Sequence, residues 1–131
     1  AMNLALRDAQ VNKEEVDYIN FHGTSTLIND KVETLAVKQT FNSQAMNIPS
    51  SSTKSMVGHP QGASGALGVT VSALSLKNGF MTPTINMENP DPECDMDYVA
   101  NVGRESKINI AVSNCISFGS KNSAIVLKNF R

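Results

Sequence analysis

The 131-residue sequence has no excess of either charge, since 11 Lys and Arg against 12 Asp and Glu leave a formal net charge of -1. Without a basic surface to neutralise phosphates, no nucleic-acid partner is expected. No apolar run reaches the roughly 20 residues that a spanning helix needs, and no membrane association is expected. The opening residues also lack the layout of a secretory leader. Cysteine is scarce: Cys94 and Cys115 are the only two, too few to staple a small secreted domain and without metal-ligand spacing. A reducing, cytoplasmic location with no metal site is the expectation. Nothing repeats, and no low-complexity segment or linker divides the chain, so residues 1–131 read as one domain or part of one. A domain of this length hides roughly two-thirds of its unfolded surface.

What is present is an alternation of strand and helix signals. Met2, Ala5, Leu6 and Ala9 form a helical stripe in the first ten residues, which begins without a capping residue. "VDYINF" at 16–21 reads as a short strand that delivers His22 at its C-terminal end. A helix is predicted from Asn29 to Phe41, capped by Asn29 or Asp30 and striped by Val32, Leu35 and Ala36. "NIPSSST" is extended. From Gly62 to Leu76 the residues are small or apolar nearly all round, with Ala66, Val69, Thr70, Ala73 and Leu74 on one face, which predicts a buried helix. Residues 80–107 read as a long connection, too polar for a core element. Ile108, Ile110 and Val112 then alternate with Asn109, Ala111 and Ser113, and "NSAIVLKNF" returns as a hairpin partner. This order predicts an α/β layer structure.

In such sheets chemistry collects beyond the carboxyl ends of the strands, and both histidines of the chain fall there. His22 follows the first strand and His59 the second, the latter inside "SSTKSMVGHPQGASGA" at 51–66, which also holds Lys54. Gly58, Gly62, Ala63, Ser64 and Gly65 would let a backbone and a helix N-terminus approach a ligand closely. Taken singly, a strand-end histidine also suits a hydrogen-bonded structural role, Lys54 a solvated surface and "GASGA" a tight helix contact. The conjunction of all three points to a shared catalytic site.

Four blocks carry a resemblance: "HGTST" at 22–26 followed by "ND" and Glu33, "SSTKSMVGH" at 51–59, "PTINMENPDPECDMDYV" at 83–99 and "SNCISFGSKNSAIVL" at 113–127. In this order and spacing the chain resembles the C-terminal part of a β-ketoacyl-acyl carrier protein synthase. The resemblance implies an α/β, thiolase-like fold of two similar βαβαβαββ halves, of which this chain is most of the second, a mixed sheet packed by helices. It implies a 3-oxoacyl-[acyl carrier protein] synthase, which joins an acyl thioester to malonyl carrier protein with loss of carbon dioxide in fatty acid or polyketide synthesis. The family nucleophile is a cysteine in the first half, and neither cysteine here matches it. As a fragment lacking that half, the chain alone is expected to be inactive.

By the same resemblance, His22 and His59 would hold the thioester carbonyl as charge builds on its oxygen. Lys54 would supply a fixed cation, and burial beside Glu33 would keep both groups ionised. Thr24 and Thr26 would hydrogen-bond the phosphopantetheine arm, and Phe118 would gate the acyl pocket. No cofactor is implied beyond the phosphopantetheine of the acyl carrier protein. The implied partners are that carrier, the missing N-terminal half and a second copy in a homodimer. Departures from the family pattern lie at Ser117, Ser120 and Lys121 around the gate, at Gly68 where many relatives have an acidic residue, and at Pro60 and Gln61. "GHPQGASGA" also resembles the histidine block of the thiolases, in which a second cysteine, near the position of Cys115, serves as acid or base. A third reading is a non-catalytic subunit that influences chain length.

Overall fold

The structure, a computed structural model, describes residues 1–130. Strand β1 (Tyr18–Asn20) is buried along its whole length, which places it between two layers of covering structure. It lies inside a four-stranded sheet of order β2-β1-β5-β6, where β2 is Ser50–Ser51, β5 is Ile110–Cys115 and β6 is Ser123–Lys128. β1 runs parallel to both neighbours, with Ile19 opposite Ser50 on one side and Val112 on the other. β6 returns antiparallel, pairing Ile110 with Lys128. The sheet is therefore mixed, as the sequence implies.

Alternation along the strands sends side chains to two cores. Ile19, Phe21, Ile110 and Val112 meet Met2 and Leu6 of α1 (Met2–Asp8) and Val37 and Phe41 of α2 (Asn29–Phe41). Tyr18 and Ala111 meet Leu76 of α4 (Ser64–Asn78), together with Met81, Val99 and Ile108. The short α3 (Lys54–Val57) connects β2 to the loop that carries His59. No helix among the described residues is long and apolar enough to cross a membrane.

The two long helices lie where the sequence places them, but their buried faces are different. α2 has the predicted limits, yet Val32 and Leu35 are more than half exposed, and Glu33, Thr34, Val37, Thr40 and Phe41 turn inward. Neither Asn29 nor Asp30 caps it. Thr26 does: its Oγ1 accepts the Asn29 N–H at 3.3 Å, and its carbonyl accepts the Asp30 N–H at 3.3 Å. α4 begins and ends two residues later than expected and buries Ser64, Gly68, Ser72, Ser75 and Leu76, while Ala66, Thr70, Ala73 and Leu74 are exposed. Backbone proximity explains the inversion. A Cβ on Gly68 would lie 2.7 Å from Ser113 Oγ and 3.0 Å from Asn20 Oδ1. The helix thus rides so close to β1 and β5 that only small residues fit beneath it. This also accounts for Gly68, whose position leaves no room for an acidic side chain. α4 stops at Gly79, which takes the left-handed conformation at φ 62°.

Residues 80–107 contribute more to the core than their polarity predicts. β3 (Phe80–Met81) and β4 (Arg104–Glu105) pair antiparallel, and Met81, Met96 and Val99 are buried. A few large apolar side chains anchor a segment whose average is polar.

Gly68→Ala should destabilise the protein by about 1–3 kcal/mol, the usual penalty for an added methyl in a packed interface. At Gly62 an added methyl would meet nothing within 4 Å, so Gly62→Ala should stay within about 0.5 kcal/mol. Urea midpoints of the two variants check the contrast.

Candidate active site

The chain turns sharply where β1 ends. Gly23 sits at φ 42°, and a Cβ there would meet Ser52 Cβ at 2.5 Å, so this step of the turn requires glycine. Glu33 fixes the turn from α2. Its carboxylate is fully buried and accepts the backbone N–H of His22 at 2.8 Å and of Gly23 at 2.9 Å. It also accepts Asn114 Nδ2 from β5 at 3.2 Å and Asn29 Nδ2 at 3.4 Å. Burial pushes this carboxyl up from its ordinary value, and the four donors oppose that shift. His22 emerges from the turn nearly buried.

His59 reaches the same place from the other strand, across α3 and Gly58 at φ 75°. Its Nδ1 accepts the Gln61 N–H at 3.0 Å and lies 3.1 Å from Ser64 Oγ. An Nδ1 that accepts a backbone N–H carries no proton, so the ring proton is on Nε2. The two imidazoles meet edge to face, with centroids 5.3 Å apart and planes at 80°. Burial, followed by the Lys54 charge and then His59, lowers the pKa of His22 to about 4. Near neutral pH His22 is therefore an uncharged donor and acceptor.

Lys54 opens α3 and is half buried. Burial lowers its pKa, while the charge of Glu33 and then Cys115 oppose the change. Lys54 and Glu33 are thus neighbours in charge without being bonded: among the described residues no ion pair joins them, and the Glu33 oxygens are occupied by N–H donors. The two charges act on each other through space because each lacks a full hydration shell.

A cavity of about 550 Å³ opens beside the group, lined by Thr24, Thr26, Lys54 and His59 on one side and by Thr84, Ile85, Met87 and Tyr98 on the other. Thr24 Oγ1 and Thr26 Oγ1 are hydrogen-bonded at 3.0 Å. The far wall belongs to the 83–99 block and is tied down by Ser52 N–H to Thr84 Oγ1 at 3.0 Å and by Ile85 N–H to Ser55 Oγ at 3.0 Å. Ion pairs from α2 pin its outer edge, Lys31 to Asp91 and Glu93 and Lys38 to Asp95.

Six of the seven site residues expected from sequence thus come together: His22, His59, Lys54, Glu33, Thr24 and Thr26. Phe118 does not join them. It sits in the turn between β5 and β6, fully exposed and outside the cavity lining, because that turn projects beyond the sheet with no packing surface over it. Ser120 in the same turn adopts φ 61°, a left-handed conformation that disfavours serine relative to glycine. Two residues with a part in the site, Asn114 and Gln61, had no assigned role in the sequence, and Ser64 was read only as a small residue that allows close approach, not as a partner of His59. Asn114 lies within the last of the four blocks, whereas nothing in the local pattern pointed to the contact between Ser64 and His59.

The profile of the family described as "Beta-ketoacyl synthase, C-terminal domain" matches residues 1–88. The "3-oxoacyl-[acyl-carrier-protein] synthase 2" of Coxiella burnetii (strain RSA 493 / Nine Mile phase I) is 49% identical over 96% of this chain and 30% of that protein. The protein of the same name from Synechocystis sp. (strain ATCC 27184 / PCC 6803 / Kazusa) is 44% identical over 100% of this chain and 32% of its own length. Among solved structures, a chain of the type II PKS acyl-carrier protein in complex with its ketosynthase, bound to the hexaketide, superposes with a TM-score of 0.97 at 37% identity, covering 99% of this chain and 32% of that one. A β-ketoacyl synthase from Burkholderia phymatum STM815 gives a TM-score of 0.92 at 36% identity, covering 99% of this chain and 31% of that one. The chain spans about a third of the length of the curated relatives it matches. The fold is a C-terminal part of the thiolase-like architecture these ketosynthases share. With its histidine pair, lysine and buried glutamate arranged on that frame, the chain belongs to the β-ketoacyl synthase family, as its C-terminal domain.

Proposed function

We propose that this chain supplies the decarboxylation and condensation groups of a 3-oxoacyl carrier-protein synthase and works with a nucleophile-bearing segment outside these residues. The observation that carries the reading is the imidazole pair: two rings 5.3 Å apart, with His22 uncharged, beside a cation and a cavity of ligand size. Loss of carbon dioxide from a malonyl thioester breaks a carbon–carbon bond and leaves its electron pair on an enolate, whose charge rests on the thioester oxygen. N–H donors from His22 and from His59 Nε2 at that oxygen would each be worth about 3 kcal/mol. The enolate carbon then attacks an acyl thioester on the enzyme, the carbon–sulfur bond breaks, and the thiol is released with a 3-oxoacyl product. Lys54 has a part in this that follows from its charge. By opposing protonation of His22, it keeps that ring a donor without letting it become an acid that would quench the enolate.

The hydroxyls of Thr24 and Thr26, on the cavity wall, suit the amide groups of a phosphopantetheine arm, and the partner in this reading is an acyl carrier protein. A related structure in which a ketosynthase is held with its acyl-carrier protein supports that choice. Against the thiolase reading, the relatives named above are synthases and ketosynthases. Cys115 is half buried beside the start of α4, 3.7 Å from where a side chain on Gly65 would begin. In the synthase reading no proton passes through its thiol. An intact histidine pair and lysine favour a catalytic chain over a non-catalytic chain-length subunit.

In the complete enzyme, His59→Ala should lower carbon dioxide release from labelled malonyl carrier about a hundredfold or more, while transfer of the first acyl group remains measurable. Unchanged release would refute the role of His59. Cys115→Ser should change condensation by less than about threefold, and a loss of about a hundredfold, the scale of a missing acid or base, would instead favour thiolase chemistry. The state of His22 adds a pH signature. Its folded pKa, about 4, lies below the ordinary 6.5, so between those values the unfolded chain takes up a proton that the folded one does not. The His22 contribution to stability is fully present above pH 6.5 and declines as pH falls toward 4, by an amount on the order of 2–3 kcal/mol. Urea unfolding across this window should show the decline, and His22→Gln should flatten it.

A further inference from the structure

His59 is an exposed ring at the end of a loop, yet its proposed task needs one fixed tautomer and one fixed orientation. Two donors meet at its Nδ1. The Gln61 N–H, at 3.0 Å, comes from the exposed first residue of the 3-10 turn Gln61–Ala63 that precedes α4, held at φ 43°, an uncommon conformation for a residue with a side chain. The second is Ser64 Oγ, at 3.1 Å. Because the backbone N–H requires the single in-plane lone pair of Nδ1, the ring has no proton there to donate, and the serine hydroxyl is a second donor that shares that lone pair. Ser64 differs from Gln61 in how it is held. It is the first residue of α4, it is only 6% exposed, and the helix it opens is pressed against the sheet through Gly68.

From this contrast we infer that Ser64 is a positioning residue for the condensing reaction, its buried hydroxyl anchoring the exposed His59 ring so that Nε2–H points at the substrate oxygen. The inference rests on the reading of His59 as a donor to that oxygen. Ser64 touches no reacting atom and acts only through the imidazole. The loop amide alone sets the tautomer. The hydroxyl, buried at the start of the helix packed on the sheet, ties the ring to that helix and fixes its orientation, a part of preorganisation that a donor on an exposed residue supplies less well.

Kinetics of the complete enzyme separate this role from a general effect on folding. Ser64→Ala should lower kcat for malonyl decarboxylation about tenfold, the scale of one orienting hydrogen bond. The KM for the malonyl thioester should stay within about twofold and first acyl transfer should be unchanged, since neither depends on the His59 orientation. Ser64→Thr, which keeps the hydroxyl, should restore most of the lost rate. Added to His59→Ala, Ser64→Ala should have no further effect, because a residue that acts through a ring has none once the ring is removed. An unchanged kcat in Ser64→Ala overturns the inference, as does a parallel loss of acyl transfer or a further fall in the His59→Ala background. If Ser64→Ala is silent while His59→Ala is disabled, only the role of Ser64 is rejected. If His59→Ala itself decarboxylates normally, the reading of His59 fails and the role of Ser64 fails with it.

Discussion

Glu33 is buried in the middle of α2, and its two oxygens receive the backbone N–H groups of His22 and Gly23 together with the side chains of Asn114 and Asn29. Removing a carboxylate from water without such donors costs several kcal/mol or more. The arrangement is therefore stable only when strand end, helix and β5 are all in place. That requirement explains features that otherwise look unrelated: the inward turn of a charged face of α2, the glycine beside His22, and an asparagine on β5 that reaches across to the helix. The position of His22 follows from the need to satisfy this one buried acid.

The second constraint is electrostatic. Lys54 lies close enough to His22 to oppose its protonation, and the charge of Glu33 opposes the burial that lowers the pKa of Lys54 itself. The acid therefore has two effects, one through direct hydrogen bonds to the turn and one at longer range on the lysine. Because the Glu33 oxygens are occupied by backbone and amide groups, the lysine end is left free toward the cavity. A direct ion pair would have neutralised both groups and left less field at the imidazoles.

How far the sequence revealed this structure depended on the kind of information each feature required. The limits of α2, the placement of His22 at a strand end and the final hairpin follow from local pattern and were legible, whereas His59, expected at the second strand end, lies beyond α3. Which side of α2 and α4 faces the sheet was not. Hydropathy ranks Val32 and Leu74 above Glu33 and Ser72, but the inward faces are decided by hydrogen-bond partners and by the closeness of the backbone at Gly68, both of which are tertiary. Lys54 and Glu33 were grouped by the resemblance, yet that the two stay unbonded depends on N–H donors brought in from the turn and from β5. Phe118 shows the opposite limit: a motif names the residue, while its surroundings depend on surface that these residues do not contain. Ser64 was visible only as a small residue, since one hydroxyl facing one ring leaves no periodic trace.

The parallel pairing of β1 with β5 also governs the order in which the protein can form. Asp17, just before β1, accepts N–H bonds from Asn109 and Ile110, the latter 93 residues away in sequence. Contacts of that separation assemble slowly, because the intervening chain must be ordered before they contribute. During synthesis β1 and α2 leave the ribosome well before β5 exists, and until it does Glu33 lacks the Asn114 amide and β1 has one edge unpaired. The centre of the sheet is thus completed by a segment made long after its first strand, and until then Glu33 stays in contact with the water that the finished fold excludes.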